Sequence, residues 1–340
     1  MTLPLDEDTR PKFSSREFLR TFLLIPRLTA VSVIATSLWL CSVAHLVASC
    51  AFNARMGPSD LPTWTVGSGN RRIHFIHDWL KLRPEAKYPM WFLRWHTLHR
   101  AFVLLGFKAT LWALGYVRIL VRGKPRSETT VFICNHRGII DALVLSFVLD
   151  DIPIFVSGPE LFDLPFIREV AISIDTCILD ASLRSVAVPM LRKAMGHGYE
   201  MRKLVLFPRG EPSHGVEIAP WHHPRSFGVA ESPLRMQAVA LTYQGTGAFS
   251  PSWIDGGCDM FFLNVLSLAR NPTNRARVTF LPPVVAADAP PTAAAADAAD
   301  ANRVAADALI EAYRRDIARA LEVPLVLADG TRIMVHDVPS

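Results

Sequence analysis

The chain has 340 residues, 50% of them hydrophobic, with a formal net charge of +5; its mean hydropathy is +0.24 and its pI about 9.1. That length holds one large domain with appendages, and no fixed-period repeat points to a solenoid or propeller. Charge alone suits nucleic acid or an anionic lipid surface equally, but the apolar excess and the lack of an aromatic-and-basic binding module argue for lipid and against nucleic acid.

Residues 1–27 form a tail with both acidic and basic groups. Leu28 to Phe52 is then a run of 25 residues without Asp, Glu, Lys or Arg. As a helix it extends ~38 Å against a hydrocarbon core of ~30 Å, enough to span with some tilt. The alternative, a cleaved signal ending near Val47-Ala48-Ser49-Cys50, fits poorly, because the preceding 27 residues are too long and carry Asp6, Glu7, Asp8 and Glu17. Residues 53–100 connect this expected transmembrane helix to the rest and end in Trp91, Arg94, Trp95, His96, His99 and Arg100. Aromatic rings beside basic groups suit the headgroup layer, so the following apolar stretch, Ala101 to Val117, is expected to be interfacial or re-entrant, with a second span as the alternative.

From Val117 strands and helices alternate. Strands are expected at Val117–Val121, Val131–Cys134, Ile152–Val156, Ile172–Leu179, Leu204–Phe207, Met236–Tyr243 and Arg277–Leu281. Helices are expected at Ile140–Leu149, near Leu161–Glu169 and at Leu183–Met195. The pattern predicts an α/β fold, a mixed sheet flanked by helices. Residues 286–301 are a low-complexity Ala/Asp/Pro linker. Asn302–Leu321 is an amphipathic helix, with Val304, Leu309, Tyr313, Ile317 and Leu321 at helical spacing, and residues 302–340 are expected to pack on the core. The five cysteines, Cys41, Cys50, Cys134, Cys177 and Cys258, form no Cys-x-x-Cys pair. Their scatter fits a reduced compartment and neither a disulfide framework nor a zinc site.

One segment proposes a reaction. Asn135-His136 is followed after four residues by Asp141, where a strand gives way to a helix. Within a single helix, five steps of about 100° would set His136 and Asp141 ~140° apart. His136 is therefore expected in the turn before the helix, with Asp141 reaching back from its first turn to orient the imidazole. A histidine so held can take a proton from a hydroxyl, a contribution of roughly 10²- to 10⁴-fold. A second segment, Leu204 to Gly215, runs from an apolar strand into a turn at Phe207-Pro208-Arg209-Gly210-Glu211. His214, Glu217, His222 and His223 cluster nearby without metal-ligand spacing, so no metal is expected. Nucleophile-elbow, Walker and Rossmann glycine patterns are absent.

The two segments together resemble the glycerolipid acyltransferase family, whose first motif is Asn-His-x-x-x-x-Asp and whose third is Phe-Pro-Glu-Gly-Thr. Further similarities are Gln237 and Val239 in a degraded fourth block, Trp253, Val278-Thr279-Phe280-Leu281-Pro282 and Ala320-Leu321-Glu322-Val323-Pro324. These resemble the lysophosphatidylcholine acyltransferase-like members. The resemblance implies that 101–285 is an acyltransferase domain with a membrane-associated first helix. It also implies that His136 and Asp141 are catalytic, and that Asn135, Phe207, Pro208, Arg209, Gly210 and Glu211 contact substrate. Three positions near the substrate depart from the pattern. Arg209 stands where the family has Glu, with Glu211 at its Thr position, and Ala181 replaces the second-motif arginine held to bind the acceptor's phosphate. Arg184 and Arg209 are the candidate replacements, and Arg202 and Lys203 are further candidates for phosphate contacts.

The expected activity is transfer of an acyl group from acyl-CoA, a co-substrate and not a resident cofactor, to the free hydroxyl of a lysophospholipid at a bilayer. The alternatives are lysophosphatidate as acceptor, or a non-catalytic lipid-binding homologue. The endoplasmic reticulum is the expected location in a eukaryote and the inner membrane in a bacterium.

Overall fold

The computed structural model describes residues 15–55, 90–129, 131–157, 164, 166–178, 203–208, 217–221, 235–244, 257–282, 298–327 and 330–334. In chain order these form α1 (Ser15–Arg55), α2 (Met90–Ala113), β1 (Arg118–Arg122), β2 (Val131–Cys134), α3 (Ile140–Leu149), β3 (Ile154–Ser157), α4 (Ile167–Ser173) and β4 (Cys177–Ile178). There follow β5 (Leu204–Leu206), β6 (Met236–Gln244), α5 (Gly257–Arg270), β7 (Arg275–Phe280), α6 (Ala298–Leu321), β8 (Leu325–Val326) and β9 (Arg332–Ile333).

Seven strands make one sheet in the order β1-β7-β6-β2-β5-β3-β4, while β8 and β9 pair separately. Strands β6 and β7 are antiparallel and the other pairs of the sheet are parallel, so β1 and β7 run against the remaining five. The sheet is mixed, as the alternation of strand and helix predicts. β2 lies near its centre and all four of its residues are buried, as a continuous apolar run covered on both faces should be. Phe132 and Cys134 enter one core with Leu38 of α1, Val103, Phe107 and Leu111 of α2, Val144 and Leu145 of α3, and Leu268 of α5. Val131 and Ile133 point the other way, into a core closed by Leu309, Ile310, Tyr313 and Ile317 of α6. The expected C-terminal helix thus does dock, and it covers the face of the sheet opposite α1 and α2.

Helix α1 is 41 residues long and includes Pro26. Within it Phe22–Ser49 is long and apolar enough to cross a membrane by length and composition. Gly106 lets α2 approach α1 closely, since a Cβ there would collide with the Leu38 side chain. Toward the other end of α1 a polar seam joins three helices. His45 Nε2 lies 3.1 Å from His96 Nδ1, and His99 bridges Cys41 Sγ at 3.4 Å and Ser173 Oγ at 2.9 Å. No group of three or more His, Cys, Asp or Glu side chains suited to a metal occurs among the described residues. The apolar stretch expected from Ala101 belongs to a single helix that begins at Met90, and its outer side exposes Trp91, Leu98, Leu105 and Trp112.

Two expectations are corrected. The run from Ile172 is not a strand to Leu179. It is the end of α4, a turn with Asp175 at φ 64°, and then the short β4. A short apolar run reads as strand or buried helix alike, and the left-handed residue sets the boundary. Helix α5 was not foreseen; it begins at Gly257, within a Gly256-Gly257 pair that suggests a loop. The expected helix Leu183–Met195 lies outside the described residues; of the one near Leu161–Glu169, residues 161–163 and 165 do too, and its end falls in α4, which begins only at Ile167 after Phe166 at φ 70°.

Candidate active site

Strand β2 delivers Asn135 and His136 to the carboxyl edge of the sheet, and residues 137–139 turn the chain into α3. Helix α3 begins at Ile140, so His136 precedes it and Asp141 occupies its first turn, as the spacing requires. His136 Nδ1 donates to Asp141 Oδ2 at 2.8 Å. The same oxygen accepts the main-chain N–H of Arg137 at 2.6 Å and of Gly138 at 3.1 Å. Asp141 therefore closes the turn that presents His136 as well as contacting its ring. With Nδ1–H directed at the carboxylate, the lone pair of the neutral imidazole lies on Nε2.

The Asp141 side chain is 0% exposed and that of His136 18%. Burying a lone carboxylate is costly unless its oxygens are paired. Here the other oxygen, Oδ1, accepts the phenol of Tyr243 at 2.6 Å. Burial, then the charge on Asp141, push the Tyr243 phenol well above its ordinary range, so it stays protonated and remains a donor. The Arg137 guanidinium is also buried; desolvation lowers its pKa while Asp141, Tyr243 and Tyr116 act in the opposite sense. The Cys134 thiol just before the motif is raised by burial and by Asp141.

Asn135 joins the motif to β6. Its Nδ2 donates to Leu241 O at 2.9 Å and its Oδ1 accepts Leu241 N–H at 2.7 Å. Both ends of this amide are spent on the main chain of β6, and what the structure shows of Asn135 is a fastening between strands. Phe207, from the end of β5, stacks on the His136 ring with centroids 4.3 Å apart. The two sequence segments meet there, and Pro208 beside Phe207 is buried. Arg184, Arg209, Gly210 and Glu211 lie outside the described residues, as do Ala181, Arg202, His214, His222 and His223. Glu217 pairs with Arg332 at 2.8 Å. Tyr243 and Arg137 are the neighbours of the pair that sequence reasoning missed. Arg137 lies inside the motif, but nothing local marks the last tyrosine of a strand 102 residues beyond Asp141.

A family model described as Acyltransferase matches residues 118–242, a span that holds both segments. The lyso-ornithine lipid O-acyltransferase of Rhodobacter capsulatus is 26% identical over 185 residues, 51% of this chain and 64% of that protein, so the match spans less than two thirds of the relative. Among solved structures, the 1-acyl-sn-glycerophosphate acyltransferase of Thermotoga maritima aligns over 64% of this chain and 81% of its own, at 13% identity and a TM-score of 0.38. The region around the His136–Asp141 pair is thus the part of the chain that is similar to the Acyltransferase family. The match agrees with the resemblance to the glycerolipid acyltransferase family that the motifs carry.

Proposed function

We propose that the protein is a membrane-bound acyltransferase that moves a fatty acyl group from acyl-CoA to the free hydroxyl of a lysophospholipid. The observation that carries this reading is the partly exposed His136 ring held through Nδ1 by a buried, fully hydrogen-bonded Asp141. Nε2 takes the proton of the acceptor hydroxyl as its oxygen attacks the thioester carbonyl. The tetrahedral intermediate then collapses with loss of the CoA thiolate, which receives that proton from His136. The product is the ester plus free CoA, with no acyl-enzyme. The N–H groups of Arg137 and Gly138 are committed to Asp141. Those of Asp141 and Ala142 donate to Gly138 O and Ile139 O, so the candidates to receive the oxyanion are the N–H groups that lead into α3 at Ile139 and Ile140 and those of Arg209-Gly210 after Pro208.

Helix α1 and the outer side of α2 support placing this chemistry at a bilayer, where a lysolipid resides. Arg184, Arg209, Arg202 and Lys203 are the proposed phosphate contacts in place of the family's missing arginine. The Rhodobacter relative is named for an acceptor other than a glycerophospholipid, and together with Ala181 this favours a second reading, a lyso-ornithine lipid acceptor.

An acceptor panel tests the proposal. Protein in detergent is given labelled oleoyl-CoA with lysophosphatidylcholine, lysophosphatidate or lyso-ornithine lipid, wild type beside His136→Ala. The labelled product identifies the acceptor and the histidine variant forms none above background. Wild-type turnover in His136→Ala removes the mechanism. Failure of the wild type with every acceptor, alongside measurable lysolipid binding, replaces the enzyme with a non-catalytic binding protein.

A further inference from the structure

We propose that Tyr243 is a positioning residue for acyl transfer, its phenol holding the Asp141 carboxylate in the orientation that directs Oδ2 at His136. The inference deepens the general-base reading above and rests on it. A carboxyl group turns about a broad terminal torsion, and the three donors on Oδ2 come from one short stretch, residues 136–138. The fourth comes from elsewhere in the fold. Tyr243 approaches Oδ1 from β6, two residues beyond the Leu241 main chain to which Asn135 is fastened. Asn135 thereby sets the separation between the His136 loop and the strand that carries the phenol. The motif asparagine and the tyrosine are parts of one brace, attached on either side of the His136–Asp141 pair.

The surroundings leave the phenol few other uses. Tyr243 is buried, and a buried tyrosine hydroxyl requires a partner. Asp141 Oδ1 is that partner at 2.6 Å. The titratable groups facing the phenol and the carboxylate are Arg137, Tyr116, Cys134 and His136. Tyr116 packs edge-on against Tyr243 with ring centroids 6.1 Å apart, and the phenol that donates to Asp141 Oδ1 is that of Tyr243. Tyr116 supplies the control.

Tyr243→Phe keeps the ring and its packing and deletes one hydrogen bond. Two changes are expected in the purified full-length variant. The kcat for acyl transfer falls roughly tenfold, a part of the 10²- to 10⁴-fold that a general base supplies. The acid limb of the kcat/KM profile moves to higher pH, because a carboxylate relieved of one donor attracts the ring proton more strongly. Tyr116→Phe retains the wild-type limb. A purely structural role lowers the amplitude through loss of active protein and leaves the limb in place. An acid limb in Tyr243→Phe that does not move upward, at whatever amplitude, overturns the proposal. His136→Ala, run in parallel, separates the two layers: if it turns over like wild type, the general-base reading itself has failed, whereas an inactive His136→Ala beside an unshifted Tyr243→Phe removes only the brace.

Discussion

Asp141 has no solvent contact, so each of its hydrogen bonds must come from protein: the imidazole of His136, two main-chain N–H groups and the Tyr243 phenol. Hydrogen bonds to a charged group are the strong kind, and four on one buried carboxylate fix both its position and that of the ring it faces. The same enclosure governs Cys134, the fourth and last residue of β2 and fully buried. Burial and the Asp141 charge raise its thiol well above the ordinary range, and only the thiolate is nucleophilic. Native protein treated with iodoacetamide at pH 8 should therefore leave Cys134 unmodified, while denatured protein is labelled there, as read by peptide mass spectrometry. Labelling of Cys134 in the native state would mean that the strand beneath the site is open to solvent.

At the scale of elements, β6 matters because it runs past the end of β2. Cys134 pairs with Val239, and the residues beyond, Leu241 and Tyr243, are free to hold Asn135 and Asp141. Asn135→Ala leaves the N–H and C=O of Leu241 without their partner in a buried place. It is expected to cost about 1–3 kcal/mol for each group so orphaned. The check is a lower melting temperature in detergent, and an unchanged melting curve would show that β6 does not depend on the motif asparagine. The sequence was informative for His136 and Asp141 because their geometry is local: a strand, a turn and the first helical turn succeed one another within residues 131–141. It was silent about Tyr243 because that contact depends on how β6 lies beside β2. It misread Ile172–Leu179 because a short apolar run has the same pattern at the end of a helix as in a strand, and only Asp175 at φ 64° divides the two. Phe207 was legible as part of a motif, whereas its stacking on His136 required β5 to be the neighbour of β2.

Across the whole molecule the sheet separates two environments. α6 closes one face, and α1, α2, α3 and α5 pack on the other. Beyond their contacts with the domain, α1 and α2 turn apolar side chains outward, including Ile25, Val33 and Val47 of α1 and Leu105 and Trp112 of α2. A bilayer is the surrounding that such a surface suits. If Phe22–Ser49 spans it, full-length protein stays in the membrane pellet through alkaline carbonate and is released by detergent. Release by carbonate alone would make α1 a helix that lies on the domain without crossing the bilayer. The central assignment, His136 as base with Asp141 as its orienter, is tested most directly by initial rates of acyl transfer for wild type, His136→Ala, Asp141→Asn and the double variant, each confirmed folded and membrane-associated. A shared role predicts that His136→Ala loses about 10²- to 10⁴-fold, that Asp141→Asn also loses most of the rate, and that the double variant is no slower than His136→Ala, since residues acting as a unit are not additive. Near-wild-type rates in His136→Ala would contradict it.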